Sequence, residues 1–240
     1  MTGKPITILQ LYPKDMNIYG DYGNTLTLRR RLEWYGYHVE LVSYNPGDAL
    51  PETIDIIVGG GGQDSGQTRI QDDLLSIGTR LHDLARDDTP MLMICGLYQL
   101  FGKFFHTQTD TRIEGIGLFN VETFAGSERL IGNIITESET FGTIVGYENH
   151  SGQTYLGAGV EPLGIVRLGA GNNSRDGHEG SRYRNVIGSY LHGSLLPKNP
   201  AIADFLIEKA IERRYGDMLE NAIDDRIAKL ARDVAITRPR

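Results

Sequence analysis

The 240-residue sequence contains a single cysteine. One cysteine excludes any intrachain disulfide, and a chain that folds without disulfides suits a reducing compartment. No stretch reaches the roughly 18 consecutive apolar residues that a membrane-spanning helix needs. The N-terminal residues run directly into a strand-like pattern and lack the succession of charged, apolar and small residues that marks a signal peptide. A soluble, cytoplasmic protein is therefore expected. No basic cluster interrupts a formal net charge of −7, which argues against a nucleic-acid partner. Internal repeats and low-complexity segments are also missing.

What is present is glycine, 30 residues of it, and a hydrophobic content of 40%, enough for a full core in a chain of this length. Ile6 to Tyr12 reads as a first strand, and the polar loop 14–23 leads into a helical pattern through Leu28 and Leu32. His38 to Tyr44 and Asp55 to Val58 read as further strands. An amphipathic helix is expected over Arg69 to Arg86, and Met91 to Ile94 is a short apolar run suited to a buried central strand. This alternation predicts an α/β fold with a mixed, mostly parallel central sheet flanked by helices. Strands separated by turns are expected over Leu118–Phe124, Ile131–Thr136, Gly142–Glu148, Gly164–Leu168 and Val186–Leu191. Two C-terminal helices follow. One begins at Asn199 and Pro200 as cap and first helical residue. The other spans Leu219 to Val234 and is expected to bury Ile223, Ile227, Leu230 and Val234. The organisation read from this is a main domain over 1–198 and a helical extension over 199–240 packed on it.

Cys95 follows the apolar run Met91–Ile94 and precedes Gly96 and a short helical pattern. Strand, tight turn and helix with a nucleophile at the turn form a nucleophile elbow. The elbow lifts the side chain to the carboxyl end of the sheet, where open α/β folds bind ligands. A buried structural cysteine is the competing reading. His192 ends the run 186–191 and is the right kind of base for a distant cysteine, although a turn histidine would look the same. Glycines 59–62 follow a short strand, so bare N–H groups there and at Gly96 are candidates for an oxyanion hole. No Lys-Ser or Lys-Thr follows them, so no phosphate loop is read. Arg129 could hold a carboxylate in a bidentate pair or lie on the surface. Glu148, in the polar stretch 147–150, could be a solvated strand end. His38, His82, His106 and His178 show no ligand spacing, so no metal site is assigned.

Three segments together resemble a known family. Met93-Ile94-Cys95-Gly96-Leu97-Tyr98-Gln99-Leu100-Phe101-Gly102 is similar to the elbow of class I glutamine amidotransferases, in the branch shared with cobyric acid synthase. Gly146-Tyr147-Glu148-Asn149-His150-Ser151-Gly152 and Gly188-Ser189-Tyr190-Leu191-His192-Gly193 resemble two further motifs of that branch. Within it, the stretches 17–24, 139–146 and 195–200 resemble the GatD group, the glutaminase subunits of lipid II isoglutaminyl synthases. The resemblance implies a flavodoxin-like amidotransferase fold that hydrolyses L-glutamine to glutamate and ammonia. It implies Cys95 as nucleophile, His192 as base, Arg129 as the contact to glutamine, and Gly60, Gly61 and Gly96 as the oxyanion region. It also implies a Mur-ligase-like partner subunit, MurT. On that partner, ATP and Mg would activate the α-carboxylate of D-glutamate in lipid II for conversion to D-isoglutamine in peptidoglycan synthesis. No cofactor is expected in this chain.

Two positions depart from the pattern. Leu97 stands where the family has a second glycine, which is expected to narrow the pocket or alter the elbow. Ser194 stands where ordinary class I enzymes carry a glutamate two residues after the histidine. The group that orients His192 must then come from elsewhere, with Glu148 or a carboxylate of the partner as candidates. Two other activities share the same residues: amidation of a corrinoid, cobyrinate-like substrate, and peptide cleavage by a cysteine peptidase with a similar elbow.

Overall fold

The computed structural model describes residues 3–219 and 222–238. In chain order the elements are β1 (Pro5–Leu11), α1 (Tyr22–Trp34), β2 (His38–Tyr44), β3 (Ile56–Gly59), α2 (Asp64–Arg86), β4 (Met91–Ile94), α3 (Gly96–Phe101), β5 (Phe104–His106) and β6 (Arg112–Glu114). There follow β7 (Val121–Ser138), β8 (Gly142–Leu156), β9 (Gly164–Leu168), β10 (His178–Glu179), β11 (Ser181–Tyr183), β12 (Val186–Ser189), β13 (Leu191–His192), α4 (Leu195–Lys198), α5 (Pro200–Tyr215) and α6 (Arg226–Ile236).

The first sheet has the order β11-β12-β4-β3-β1-β2. Its strands are parallel except for β11, which runs antiparallel to β12. Every residue of β3 and β4 is buried, as expected for short apolar strands covered on both faces. The chain steps from β1 outward to β2, then returns across β1 to β3. With right-handed crossovers, these opposite steps put α1 and α2 on opposite faces. They also open a crevice beyond the carboxyl ends of β1 and β3. Residues 12–21, 60–62, 95 and 190–192 all follow the carboxyl ends of strands in this sheet.

The second sheet is built mainly from the long hairpin of β7 and β8, with β5, β6, β9, β10 and β13 paired around it. The two strands expected over 118–124 and 131–136 are one strand here, β7, with an irregular register between Ala125 and Leu130. Gly126, Ser127 and Glu128 read as a turn in sequence but form this bulge, and Arg129 rides on it. The strand expected over 186–191 is broken at Tyr190. Its first part, β12, lies beside β4 in the first sheet, and its second part, β13, pairs with β8 in the second.

The helices differ in what they cover. α5 buries Ile202, Ala203, Leu206, Ile207, Ala210 and Ile211. Asn199 does not cap it through its side chain. The amide instead splices α5 to β8, accepting from Val145 N–H at 3.0 Å and donating to Val145 O at 2.8 Å. The last helix corrects the sequence reading. It starts at Arg226, and Ile227, Leu230 and Val234 are 77%, 60% and 47% exposed; Ile223 lies before it, and residues 220 and 221 lie outside the described residues. Its orientation is fixed by the buried Arg31, which donates to Asp204 at 2.8 and 2.6 Å and to Asp225 at 2.6 and 3.2 Å. That clamp turns the Ala228 and Arg232 side of the helix inward and leaves the Ile-Leu-Val stripe outside. No helix among the described residues is long and apolar enough to cross a membrane.

Candidate active site

Cys95 lies between β4 and α3 with φ 50° and ψ −105°, a conformation that L residues seldom adopt and that costs on the order of 1–3 kcal/mol. The surrounding bonds hold it there. Cys95 N–H donates to Ser189 O at 2.8 Å, and Gln99 N–H donates to Cys95 O at 2.9 Å. Gln67 Nε2 donates to Gly96 O at 3.1 Å and to Gln99 Oε1 at 2.7 Å. Gly96 is required by closeness, because a Cβ there would stand 2.7 Å from Met16 Cε and 3.1 Å from Gly62 N.

Leu97 does not narrow the cavity as expected. It is fully buried, and a Cβ on Gly59 would collide with its Cδ1. The side chain fills the core between β3 and α3, and the glycine at position 59 makes room for it.

His192 is fully buried at the tip of β13. Its Nδ1 lies 3.1 and 3.2 Å from the two carboxylate oxygens of Asp21. A carboxylate only accepts, so this contact places the ring proton on Nδ1. Nε2 is left without a hydrogen-bond partner. The ring and Cys95 meet at Gly61, where a Cβ would stand 2.7 Å from His192 Cε1 and 3.2 Å from Cys95 Cβ. Burial pulls the imidazolium down, but the negative charge of Cys95 and the Asp21 hydrogen bond outweigh it and push His192 up to about 10. His192 is therefore held as the imidazolium at neutral pH.

The orienting carboxylate is Asp21, not the expected Glu148. Glu148 is buried, and its two oxygens accept from Ala170 N–H and Gly171 N–H, each at 2.8 Å. It fastens the loop after β9 to β8. Asp21 comes from within the chain. Ser194, at the position of the missing glutamate, holds the loop that carries it: Ser194 Oγ donates to Gly20 O at 2.6 Å. A Cβ on Gly23 would collide with Ser194 Oγ, so the loop and the serine fit as a pair.

The glycine run is also redistributed. Gly61 N–H is taken by Asp21 Oδ2 at 2.7 Å, and Gly60 faces Met16 O and Asp21. The Gly61 amide is therefore already spent on Asp21. Gly62 lines the cavity beside Cys95, and its backbone N would lie 3.1 Å from a Cβ on Gly96.

The cavity has a volume of 390 Å³ and contains Cys95, Gln99 and His150 at its base. Arg129 crosses its mouth. Its Nε donates to Asn149 Oδ1 at 2.6 Å, and its Nη2 donates to Tyr19 OH at 3.0 Å. Tyr19 in turn stands edge-on to the His192 ring, with centroids 5.0 Å apart. Cys95, His192, Gly96 and Arg129 are thus brought together, whereas Glu148 and the Gly61 amide serve other contacts. Asp21, Tyr19 and Asn149 were given no site role from sequence, whereas Gly62 belongs to the glycine run 59–62 already read as a source of oxyanion donors. For Asp21 a signal existed: an acid in the loop directly beyond the carboxyl end of β1.

Residues 7–200 match the CobB/CobQ-like glutamine amidotransferase domain family. The chain is 41% identical over 234 residues to the GatD subunit of lipid II isoglutaminyl synthase from Staphylococcus aureus, covering 97% of this chain and 96% of that protein. It is 38% identical to the GatD subunit from Streptococcus pneumoniae, covering 90% and 84%. A probable cobyric acid synthase from Methanothermobacter thermautotrophicus is 32% identical, but over 61% of this chain and 31% of that protein. Among solved structures, PurLQS from Thermotoga maritima is similar in fold, with a TM-score of 0.59 at 15% identity over 85% of this chain and 98% of that one. Sequence match and fold agree that the chain belongs to the CobB/CobQ-like glutamine amidotransferases, in the group of GatD subunits.

Proposed function

We propose that this chain is the glutaminase subunit of a lipid II isoglutaminyl synthase, with Cys95 as nucleophile and His192 as its acid and base. The observation that carries the reading is the buried series Cys95, His192 and Asp21, meeting at Gly61 beneath a cavity mouth held by Arg129. Glutamine enters with its α-carboxylate toward the Arg129 guanidinium and its side-chain amide toward Cys95. The thiolate attacks the amide carbon, and the developing oxyanion is met by the Gly62 and Gly96 N–H groups. His192 gives its Nε2 proton to the departing nitrogen, and ammonia leaves a γ-glutamyl thioester. Water then attacks the thioester while His192 takes up its proton, and glutamate leaves with the thiolate restored. Asp21 keeps the imidazole in one tautomer and stabilises its charged form throughout.

The ammonia goes to a Mur-ligase-like synthetase subunit (MurT), which binds ATP and Mg and amidates the D-glutamate α-carboxylate of lipid II. The names and the near full-length matches of the GatD relatives support this substrate over a corrinoid, since the cobyric acid synthases are matched over about a third of their length. The Arg129–Tyr19 contact across the mouth favours a free amino acid over a peptide. Because the orienting carboxylate lies within the chain, ammonia release without the partner is expected. The test is ammonia release from L-glutamine by the purified chain, alone and with a co-expressed synthetase subunit, for wild type and Cys95→Ala. Loss of all release in the variant supports the reading. Release that survives the substitution, or a wild type that cleaves peptides and leaves glutamine intact, rules it out.

A further inference from the structure

The two residues of the proposed catalytic pair stand on different sheets. Cys95 follows β4 of the first sheet, and His192 lies in β13 of the second. The chain passes between the sheets at Tyr190. A neighbouring segment makes the opposite passage one step away: β10 belongs to the second sheet and β11 to the first, with Gly180 between them at φ +62°. The approach at this second passage is close, and a Cβ on Gly180 would collide with Gly188 O.

The β11–β12 ladder pairs Ser181 with Gly188. One step beyond it the backbone pairing ends, and a side chain takes over. Glu179 Oε1 accepts from Tyr190 N–H at 2.7 Å and from Ser189 Oγ at 3.2 Å. Ser189 Oγ in turn accepts from Leu191 N–H at 3.1 Å. Three consecutive residues of the passage are thereby fixed to one carboxyl group, directly or through one hydroxyl. Ser189 also presents its carbonyl to Cys95 N–H, and the residue after Leu191 is His192. The same three residues therefore set the position of both Cys95 and His192.

We infer that Glu179 is a positioning residue of this active site, holding the sheet-to-sheet passage 189–191 so that His192 is aligned with Cys95. It is fully buried and acts only through its neighbours. A buried carboxyl is an expensive way to hold a strand break. Burial keeps it protonated at neutral pH by raising it to about 8, so it works as a neutral acceptor. Glutamine, with the same amide oxygen geometry, can replace it, whereas alanine leaves Tyr190 N–H and Ser189 Oγ without their acceptor.

The inference rests on the Cys95–His192 reading, and a single thiol lets the two be tested separately. Alkylation of the full-length chain by iodoacetamide reports Cys95 alone, and its rate against pH reports how far His192 sustains the thiolate. Glu179→Ala is expected to lower kcat for glutamine by about 10²-fold, the loss that a misplacement of about 1 Å produces, with KM changed less than about threefold. It is also expected to move the alkylation profile toward that of a His192→Ala variant. Glu179→Gln should restore kcat to within about fivefold of wild type and return the profile. Ser189→Ala, a smaller change, should shift the profile in the same direction and covers the case in which Glu179→Ala does not fold. A folded Glu179→Ala or Ser189→Ala protein with wild-type kcat and profile, whatever its melting temperature, overturns the inference. Glutamine hydrolysis that survives Cys95→Ala overturns the underlying Cys95–His192 reading, and this inference with it.

Discussion

Asp21 does two things at once: it accepts from His192 Nδ1 and from Gly61 N–H. Removing its charge while keeping its shape separates orientation from electrostatics. Asp21→Asn is expected to lower kcat by about 10²–10⁴-fold, the range for a triad carboxylate whose loss frees the wrong tautomer. KM should stay close to wild type, because Asp21 does not line the cavity. A variant whose loss appears in KM alone would contradict the assignment. Cys95 and His192 were legible in sequence because each ends a strand with a local signature. Asp21 was not, since its partner lies 171 positions away and its one signal, an acid in the loop beyond β1, is shared by Asp15. Glu148 was chosen in its place because it sits in a recognisable motif; that motif instead secures Ala170 and Gly171.

The elements were largely legible where one period ruled. β3, β4 and α2 announce themselves by short apolar runs or a long amphipathic pattern. The hairpin of β7 and β8 was underestimated because a bulge looks like a turn in sequence. α6 was misread for a different reason: amphipathy says that a stripe is apolar but not that this chain covers it. The two terminal helices should therefore respond oppositely to mutation. Leu206→Ala in α5 is expected to cost about 2–5 kcal/mol, the usual range for a buried leucine. Leu230→Ser in α6 should stay within about 0.5 kcal/mol of wild type in urea melts of the isolated chain, as exposed positions do. Gly59→Ala should destabilise by about 1–3 kcal/mol through overpacking, because the new methyl meets Leu97 Cδ1 and Met93 Sδ. A paired Leu97→Ala should recover part of that loss.

For the whole molecule, two buried groups shape stability against pH in opposite senses. Burial raises Glu179 from 4.5 to about 8. Between those values the unfolded chain releases a proton that the folded chain keeps, so stability falls as pH rises. Burial lowers His150 from 6.5 to about 3. Between those values the unfolded chain takes up a proton that the folded chain refuses, so stability falls as pH drops. The two slopes oppose each other from pH 4.5 to 6.5. Thermal melts should therefore show a plateau there, with a decline on each side. Glu179→Gln should reduce the alkaline decline between 6.5 and 8 to the share left by His192, whose raised value adds a fall of the same sign up to about 10. His150→Gln should flatten the acid one between 4.5 and 3. The proposed active site is also assembled from the whole length of the chain. Asp21 lies near its start, Cys95 in its first half and His192 near its end, and the passage at 189–191 joins the two sheets last. A chain still emerging from the ribosome holds the thiol and the aspartate for nearly a hundred residues of synthesis before the imidazole arrives. On the proposed mechanism, copies that stop before His192 cannot release ammonia, and glutamine is spent only once the two sheets are joined.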